Sequence, residues 1–188
     1  NLISLKPTQQ LMTAIWSSLI LGIILSFPYL VWELWRFISP GLTSKEVKSS
    51  KGFIFIASFL FFCGIAFSFY VIAPISIHFL YNYKISDLIQ NNFTLESHIS
   101  LVTNMLLGVS ILFELPVLIY FLTKIGLVTP EFLKKYRKHS LVVVLILAAI
   151  ITPPDVASQV IVAIPILILY EISIKVSRMV IKKQQKDA

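Results

Sequence analysis

Long hydrophobic stretches separated by short polar spacers dominate this sequence. The stretches run from Leu11 to about Phe37, Gly52 to about Ile77, Ser97 to about Thr123, Ser140 to Thr152 and Val156 to about Ser177. An uncharged run of roughly 18 or more residues is typical of a membrane-spanning helix, and residues 52–83 contain no Asp, Glu, Lys or Arg. Several such runs in one chain predict an all-α, polytopic transmembrane helix bundle of about five spans.

The fourth hydrophobic segment is short for a membrane crossing. Its thirteen residues, 140–152, would rise roughly 20 Å as a helix, against a hydrocarbon core of about 30 Å. Either the bilayer thins at this helix, or the fourth and fifth segments form a re-entrant pair. Proline lies inside three other segments, at Pro28, Pro116 and Pro165, and predicts kinks that would give the bundle a cupped shape.

Basic residues follow alternate segments and so predict an orientation. Fourteen of the sixteen Lys and Arg residues lie after the first, third and fifth segments, which leaves only Lys6 and Lys84 for the opposite side. Because Lys and Arg are retained in cytoplasmic loops, the C-terminus is predicted to be cytoplasmic and the N-terminus to be outside. An outer N-terminus without a signal peptide predicts a further span before Asn1.

The composition excludes several classes of protein. Hydrophobic residues make up 57% of the chain and charged residues 13%, with a mean hydropathy of +0.86, which leaves too little polar surface for a soluble globule. The net charge of +7 is explained by the loop pattern, so no nucleic-acid partner is inferred. A single cysteine, Cys63, rules out an internal disulfide and a cysteine metal cluster.

Sequence motifs of enzymes and haem anchors are missing. The chain has no HExxH, GxSxG or Walker glycine motif. Its three histidines, His78, His98 and His139, lie at segment ends and not as paired ligands within the membrane. We therefore predict no enzymatic activity, no cofactor and no metal site.

Glu114 is the strongest candidate for a functional residue inside the membrane. It lies deep in the third segment, and at 100° per residue Thr103, Ser110 and Glu114 fall on one side of the helix. An ionisable residue at this depth is costly and is a functional hypothesis by default. The favoured interpretation is a cavity-facing carboxylate that binds a passing or docking segment; the alternative is a packing role against a neighbouring helix.

Other acidic residues favour structural interpretations from their spacing alone. Glu171 and Lys175 at i,i+4, like Glu33 and Arg36 at i,i+3, are spaced for intrahelical ion pairs near the interface. Glu46 is the only acid in the basic loop between Arg36 and Lys51, where a solvated charge is the simpler interpretation.

Several longer runs carry a more specific signal. They are FPYLVWELWRFISPGL (Phe27–Leu42), FELPV (Phe113–Val117), GLVTPEFLKKYRKHS (Gly126–Ser140), ITPPDVASQ (Ile151–Gln159) and YEISIKVSR (Tyr170–Arg178). In order and spacing they resemble the signatures of the TatC family, the signal-recognising core of the twin-arginine protein export system. The resemblance implies a six-helix, glove-shaped protein, of which residues 1–188 would form a single membrane domain that lacks the first helix.

The resemblance also implies roles for individual residues. Phe37 and Glu46 match the signal-peptide-binding positions, where a carboxylate would meet the planar donor forks of two arginines. Glu114 matches a mid-membrane glutamate linked to partner docking and transport, with Ser110 and Thr103 on the same stripe. An outer loop motif matches Pro153, Pro154, Asp155 and Gln159.

The predicted function is therefore a twin-arginine signal-peptide receptor and core translocase subunit. The implied partners are the signal peptides of folded cargo, single-helix Tat subunits of the TatA and TatB type, further copies of this chain, and membrane lipid. The implied location is the bacterial inner membrane or an equivalent organellar membrane, energised by a proton-motive force. The alternative function is a small-solute permease in which Glu114 relays protons.

Overall fold

The computed structural model describes residues 7–38, 50–83, 94–153 and 156–187, and these are almost entirely helical. Four of the helical runs are long and apolar enough to cross a membrane: Gln9–Phe37, Gly52–Asn82, Leu95–Lys124 and Val156–Gln185. The prediction of an all-α membrane bundle is confirmed. The fourth hydrophobic segment forms a shorter helix packed among these runs.

Helix α1, Gln9–Ile38, is continuous through Pro28. Helix α2, Ser50–Phe67, leads into a π-helical turn at Ser68–Ile72 and then helix α3, Ala73–Asn82. Pro74 is the second residue of α3 and lacks the N–H that would bond to the carbonyl four residues earlier. The wider π turn accommodates the proline while the helix continues.

The third run is interrupted near its middle. Helix α4, Leu95–Phe113, is capped by the hydroxyl of Thr94, which accepts a hydrogen bond from the N–H of Ser97 at 3.2 Å. The helix ends at Glu114, and helix α5, Leu115–Lys124, begins directly after it. This interruption places an acidic residue at the junction of two apolar helices.

A short connection and a helical hairpin complete the fold. Helix α6, Pro130–Lys135, is capped by Thr129, helix α7 spans Arg137–Ile151, and helix α8 spans Val156–Asp187 through Pro165. The 15 residues of α7 rise about 22 Å, less than the hydrocarbon thickness. The short fourth segment is thus present as predicted.

Helices α4 and α8 occupy the centre of the bundle. Helix α4 packs against α1 and α2 on one side, while α8 packs against α5, α6 and α7 on the other. The largest core cluster joins the π turn, α3, α4, α7 and α8 through buried apolar side chains, among them Ile72, Ala73, Met105, Val109, Ala148, Val162 and Ile166. Many side chains on the outer faces are apolar and exposed, as expected of surfaces that meet lipid.

Small residues allow two close helix contacts. A Cβ placed on Gly64 of α2 would lie 2.6 Å from the Cα of Ser110 on α4. A Cβ on Gly108 would lie 2.8 Å from the side chain of Ile151. Such close approaches supply van der Waals packing where lipid offers no hydrophobic driving force.

Buried hydroxyl pairs bind α8 to its neighbours near its start and again in its second half. Ser76 Oγ donates to Ser158 Oγ at 2.8 Å, and Thr123 Oγ1 donates to Ser177 Oγ at 2.9 Å. Such bonds between helices are worth roughly 0.6 kcal/mol in a membrane protein. They fix the position of α8 along α3 and α5.

We predict that Gly64→Ala destabilises the bundle by about 1–3 kcal/mol, because the new methyl group must displace the backbone of α4. Gly22→Ala is the matched control, since a Cβ there meets nothing within 4 Å. Thermal unfolding in detergent micelles compares the two variants. Equal melting temperatures would contradict the close α2–α4 contact.

Candidate functional site

The break between α4 and α5 follows from Pro116, the second residue of α5. Because proline has no N–H and its ring clashes with the preceding turn, regular helical bonding stops. The N–H of Glu114 instead donates to the carbonyl of Ile111 at 3.1 Å, and the Glu114 carbonyl accepts from Val117 and Leu118 at 3.0 and 2.9 Å. The sequence FELPV thus places the glutamate at the break itself.

The break lies near the middle of the membrane. Helix α5 has ten residues from the break to Lys124, a rise of about 15 Å, or half of the hydrocarbon core. We take Lys124 as the interfacial residue because its Nζ lies 5.7 Å from the Trp35 ring centroid and 5.5 Å from that of Tyr120. Such amphipathic aromatics are typical of the membrane interface.

The side chain of Glu114 is poorly matched to its surroundings. Its Oε1 is buried and has no hydrogen-bond partner among the described residues. A buried polar atom without a partner costs roughly 1–3 kcal/mol. The backbone of Phe61 faces the carboxyl group, so the fold satisfies it only in part. Such a group is a stronger functional candidate than one fully tied into the packing.

The two hydroxyls of the predicted stripe lie inside the bundle. Ser110 is fully buried and donates to the carbonyl of Leu107 at 2.9 Å. Thr103 is buried and donates to the carbonyls of Ile99 and Ser100 at 2.8 and 3.1 Å. Each hydroxyl is satisfied by its own helix, so docking onto Ser110 would require the α2–α4 contact to open. Only Glu114 carries an unsatisfied polar atom in this stripe.

One end of the bundle gathers the described basic side chains, and we call it the basic end. Gln184 Nε2 donates to the carbonyl of Lys124 at 3.1 Å, which brings the C-terminal part of α8 to the end of α5. Trp35 of α1 lies 4.7 Å from Phe53 of α2, ring to ring. The cations that share this end are Arg36, Lys124, Lys134, Lys135, Arg137, Lys138, Lys175, Arg178, Lys182 and Lys183. The basic residues that follow the first, third and fifth segments in the sequence therefore lie together at the basic end.

The connection between α5 and α7 is anchored to α8 at this end. Tyr170 Oη donates to the carbonyl of Leu133 at 2.7 Å, and both residues are buried. Arg137 Nη2 lies 2.8 Å from Glu171 Oε2. The i,i+4 spacing predicted Lys175 as the partner of Glu171, and this prediction is wrong. Tertiary packing brings Arg137, which lies 34 residues away in the sequence, next to Glu171 instead. The predicted Glu33–Arg36 pair is confirmed at 3.7 Å.

Phe37 is strongly exposed near the end of α1, with 85% of its surface accessible. It follows Arg36 at the basic end, and its predicted contact with a signal peptide stays a prediction. Glu46, the predicted carboxylate partner of that peptide, lies outside the described residues. Its role stays a prediction.

The outer loop motif is partly within the α7–α8 hairpin. Pro153 is buried, and Gln159 Nε2 donates to the carbonyl of Leu145 at 2.9 Å, which ties α8 to α7. Pro154 and Asp155 lie outside the described residues. Gln159 thus has a structural bond in addition to its predicted role.

Sequence reasoning missed Tyr170 and the Ser76–Ser158 and Thr123–Ser177 pairs. Tyr170 begins the YEISIKVSR run, and its phenol amid apolar neighbours was an available signal. The hydroxyl pairs had no such signal, because small hydroxyl residues are common in membrane helices. Their partners are also distant in sequence: Ser76 and Ser158 are 82 residues apart, and Thr123 and Ser177 are 54 apart.

The fold and site define a polytopic helical membrane protein with a carboxylate at mid-membrane. The family model for TatC, described as Sec-independent protein translocase protein, matches residues 1–165. The chain belongs to the TatC family. That description is of a protein translocase and not of an enzyme, in keeping with the missing catalytic motifs.

Curated relatives and solved structures agree with this assignment. The chain is 46% identical over 170 residues to a Sec-independent protein translocase protein TatC of Blattabacterium, covering 90% of this chain and 64% of the relative. It is 45% identical over 180 residues to that of Helicobacter pylori J99, covering 96% and 72% respectively. A crystal structure described as the twin arginine translocase receptor TatC matches with a TM-score of 0.78 and 35% identity, over 96% of this chain and 79% of the other.

The chain thus spans about two thirds to four fifths of the length of these proteins. The comparisons give no support to the alternative of a small-solute permease, since the matched family transports proteins.

We predict that Glu114→Leu keeps the bundle folded and raises its free energy of unfolding by about 1–2 kcal/mol, because it removes a buried oxygen that has no described partner. Glu114→Gln, which keeps a buried polar group, should change stability little. Thermal unfolding in micelles measures both. A large loss of stability in Glu114→Leu would assign the carboxyl a packing role.

Proposed function

We propose that this chain acts as the twin-arginine signal-peptide receptor and core subunit of a Tat translocase, exporting folded proteins across an energised bacterial inner membrane or its organellar equivalent. Membership of the family described as Sec-independent protein translocase carries the proposal. The crystal structures described as a twin arginine translocase receptor support the receptor role. Both are similar to this chain over more than nine tenths of its length.

Electrostatics at the basic end makes a carboxylate necessary for such a receptor. Two arginines of a signal peptide would approach a face that already carries many cations, so simple attraction cannot bind them. A carboxylate can hold a guanidinium through two parallel charge-assisted hydrogen bonds. Glu46, in the loop that follows Phe37, is the residue we assign to this contact.

Phe37 supports the same contact through its exposure. With 85% of its surface accessible, Phe37 presents an uncovered apolar side chain beside a cationic surface. Its ring offers an apolar and cation-binding face to an arginine side chain. We assign it to hold the peptide beside the carboxylate.

Glu114 is assigned to the step after recognition. Its carboxyl group lies about 15 Å from the interface, too deep for direct contact with a peptide bound at Phe37. Its unsatisfied Oε1 would gain a hydrogen-bond donor from a polar side chain on an arriving helix. The single-helix Tat subunits, of the TatA and TatB type, are the proposed partners, in a complex that holds several copies of this chain.

We predict that an Arg-Arg signal peptide crosslinks to membranes containing the full-length protein at least tenfold more than a Lys-Lys signal, because lysine lacks the planar donor fork. Glu46→Gln should remove this preference, and Phe37→Ala should weaken capture of the Arg-Arg signal severalfold. Photo-crosslinking with the signal peptide is the measurement.

Phe59→Ala is the matched control, since Phe59 is an exposed phenylalanine on the apolar α2. Capture should be unchanged in this variant. Equal capture of Arg-Arg and Lys-Lys signals would count against the receptor proposal.

We predict that Glu114→Ala abolishes export of a folded reporter while the protein remains in the membrane and still captures the signal peptide. The reason is that the mid-membrane carboxyl acts after recognition. Export is measured by protease protection of the reporter, with protein level by immunoblot. Loss of the protein from the membrane would support the packing alternative instead.

A further inference from the structure

A groove of about 390 Å³ opens on the bundle surface near the basic end, between α2, α5 and α8. Phe53 and Ile56 line it from α2, Val117 and Tyr120 from α5, and Met179 and Lys183 from α8. Pro116, beside the mid-membrane break, also lines the groove. The groove therefore extends from the interface toward the middle of the bilayer.

The lining combines apolar walls with a cation at one end. Apart from Lys183 and the Tyr120 phenol, the lining side chains are hydrocarbon, thioether or glycine, and no carboxylate is among them. Lys183 is exposed and lies seven residues beyond Val176, the lining residue of α8 nearest mid-membrane. An occupant with an apolar body and an anionic head complements this surface.

The size of the groove argues against a helix as the occupant. Along α8 the lining runs over about 10 Å, a third of the roughly 30 Å that a spanning partner helix would cover. An acyl chain from one leaflet fits this length.

We propose that this groove binds an anionic phospholipid, with an acyl chain against Phe53, Val117 and Met179 and its phosphate beside Lys183. Basic pockets between membrane helices on the cytoplasmic side are suited to anionic head groups. The site is independent of signal recognition, because it requires only that the chain be embedded in a bilayer with the basic end at an anionic leaflet.

The test is retention of phosphatidylglycerol and phosphatidylcholine by the detergent-purified chain, measured by native mass spectrometry during lipid titration. The wild type should retain phosphatidylglycerol more strongly. Lys183→Gln should reduce phosphatidylglycerol retention about fivefold, the effect of one cation near an anionic surface, and should leave phosphatidylcholine unchanged. Gly52→Leu should reduce the retention of both lipids about tenfold, since the leucine side chain fills a space equivalent to a few buried methylene groups.

Two matched variants control for charge and for the added side chain. Lys182 is exposed but does not line the groove, so Lys182→Gln should leave the retention of both lipids unchanged. Gly22, like Gly52, has no atom within 4 Å of an added Cβ, so Gly22→Leu should fold and retain lipid as the wild type does.

Equal retention of the two lipids by the wild type would overturn the proposal. So would an equal loss in Lys182→Gln and Lys183→Gln, which would indicate unspecific charge attraction. Release of bound phosphatidylglycerol by a stoichiometric Arg-Arg signal peptide would assign the groove to the peptide and not to lipid.

Discussion

The hydrocarbon core of a bilayer offers no hydrogen-bond partner, and this constraint explains most of the structure. Backbone groups must be satisfied within helices, so each interruption needs a local cause. Pro74 accounts for the π turn and Pro116 for the break at Glu114. Several hydroxyls in the bundle follow the same rule by bonding to their own helix or to one another, as in the Ser76–Ser158 pair, whereas those of Thr13, Ser58 and Ser68 are buried without a described partner.

Among the described side chains that bury a polar atom without a hydrogen-bond partner, Glu114 is the one that can carry a charge, and so its burial is the most costly. The proline that breaks the helix also determines where the glutamate lies, about half a bilayer from the basic end. The proposed function places recognition at the interface near Phe37 and the later step at mid-membrane. Helix α5 connects these two depths, since it runs from Glu114 to Lys124.

Hydrophobic segment length and charge position were readable from the sequence because both are local properties. They predicted the helical runs, the short α7, the shared basic end and the depth of Glu114. The partner of Glu171 was predicted wrongly, since Arg137 is 34 residues away and only tertiary packing brings it near. The burial of Ser110 could not be predicted from helical periodicity, because periodicity tells which side of a helix a residue occupies but not which neighbour covers it. Glu46, Pro154 and Asp155 keep the roles that the family resemblance implies as predictions.

The embedding of the chain, with its basic end at the cytoplasm and Glu114 in the hydrocarbon, is the claim on which the account depends. Single cysteines at positions 96, 114 and 138, in a chain carrying Cys63→Ser, test it by labelling intact cells with a membrane-impermeant maleimide. We expect label at position 96 in intact cells, at position 138 only after the membrane is opened, and none at position 114 while the bilayer is present. Labelling of position 138 in intact cells, or of position 114 in the intact bilayer, would contradict the account.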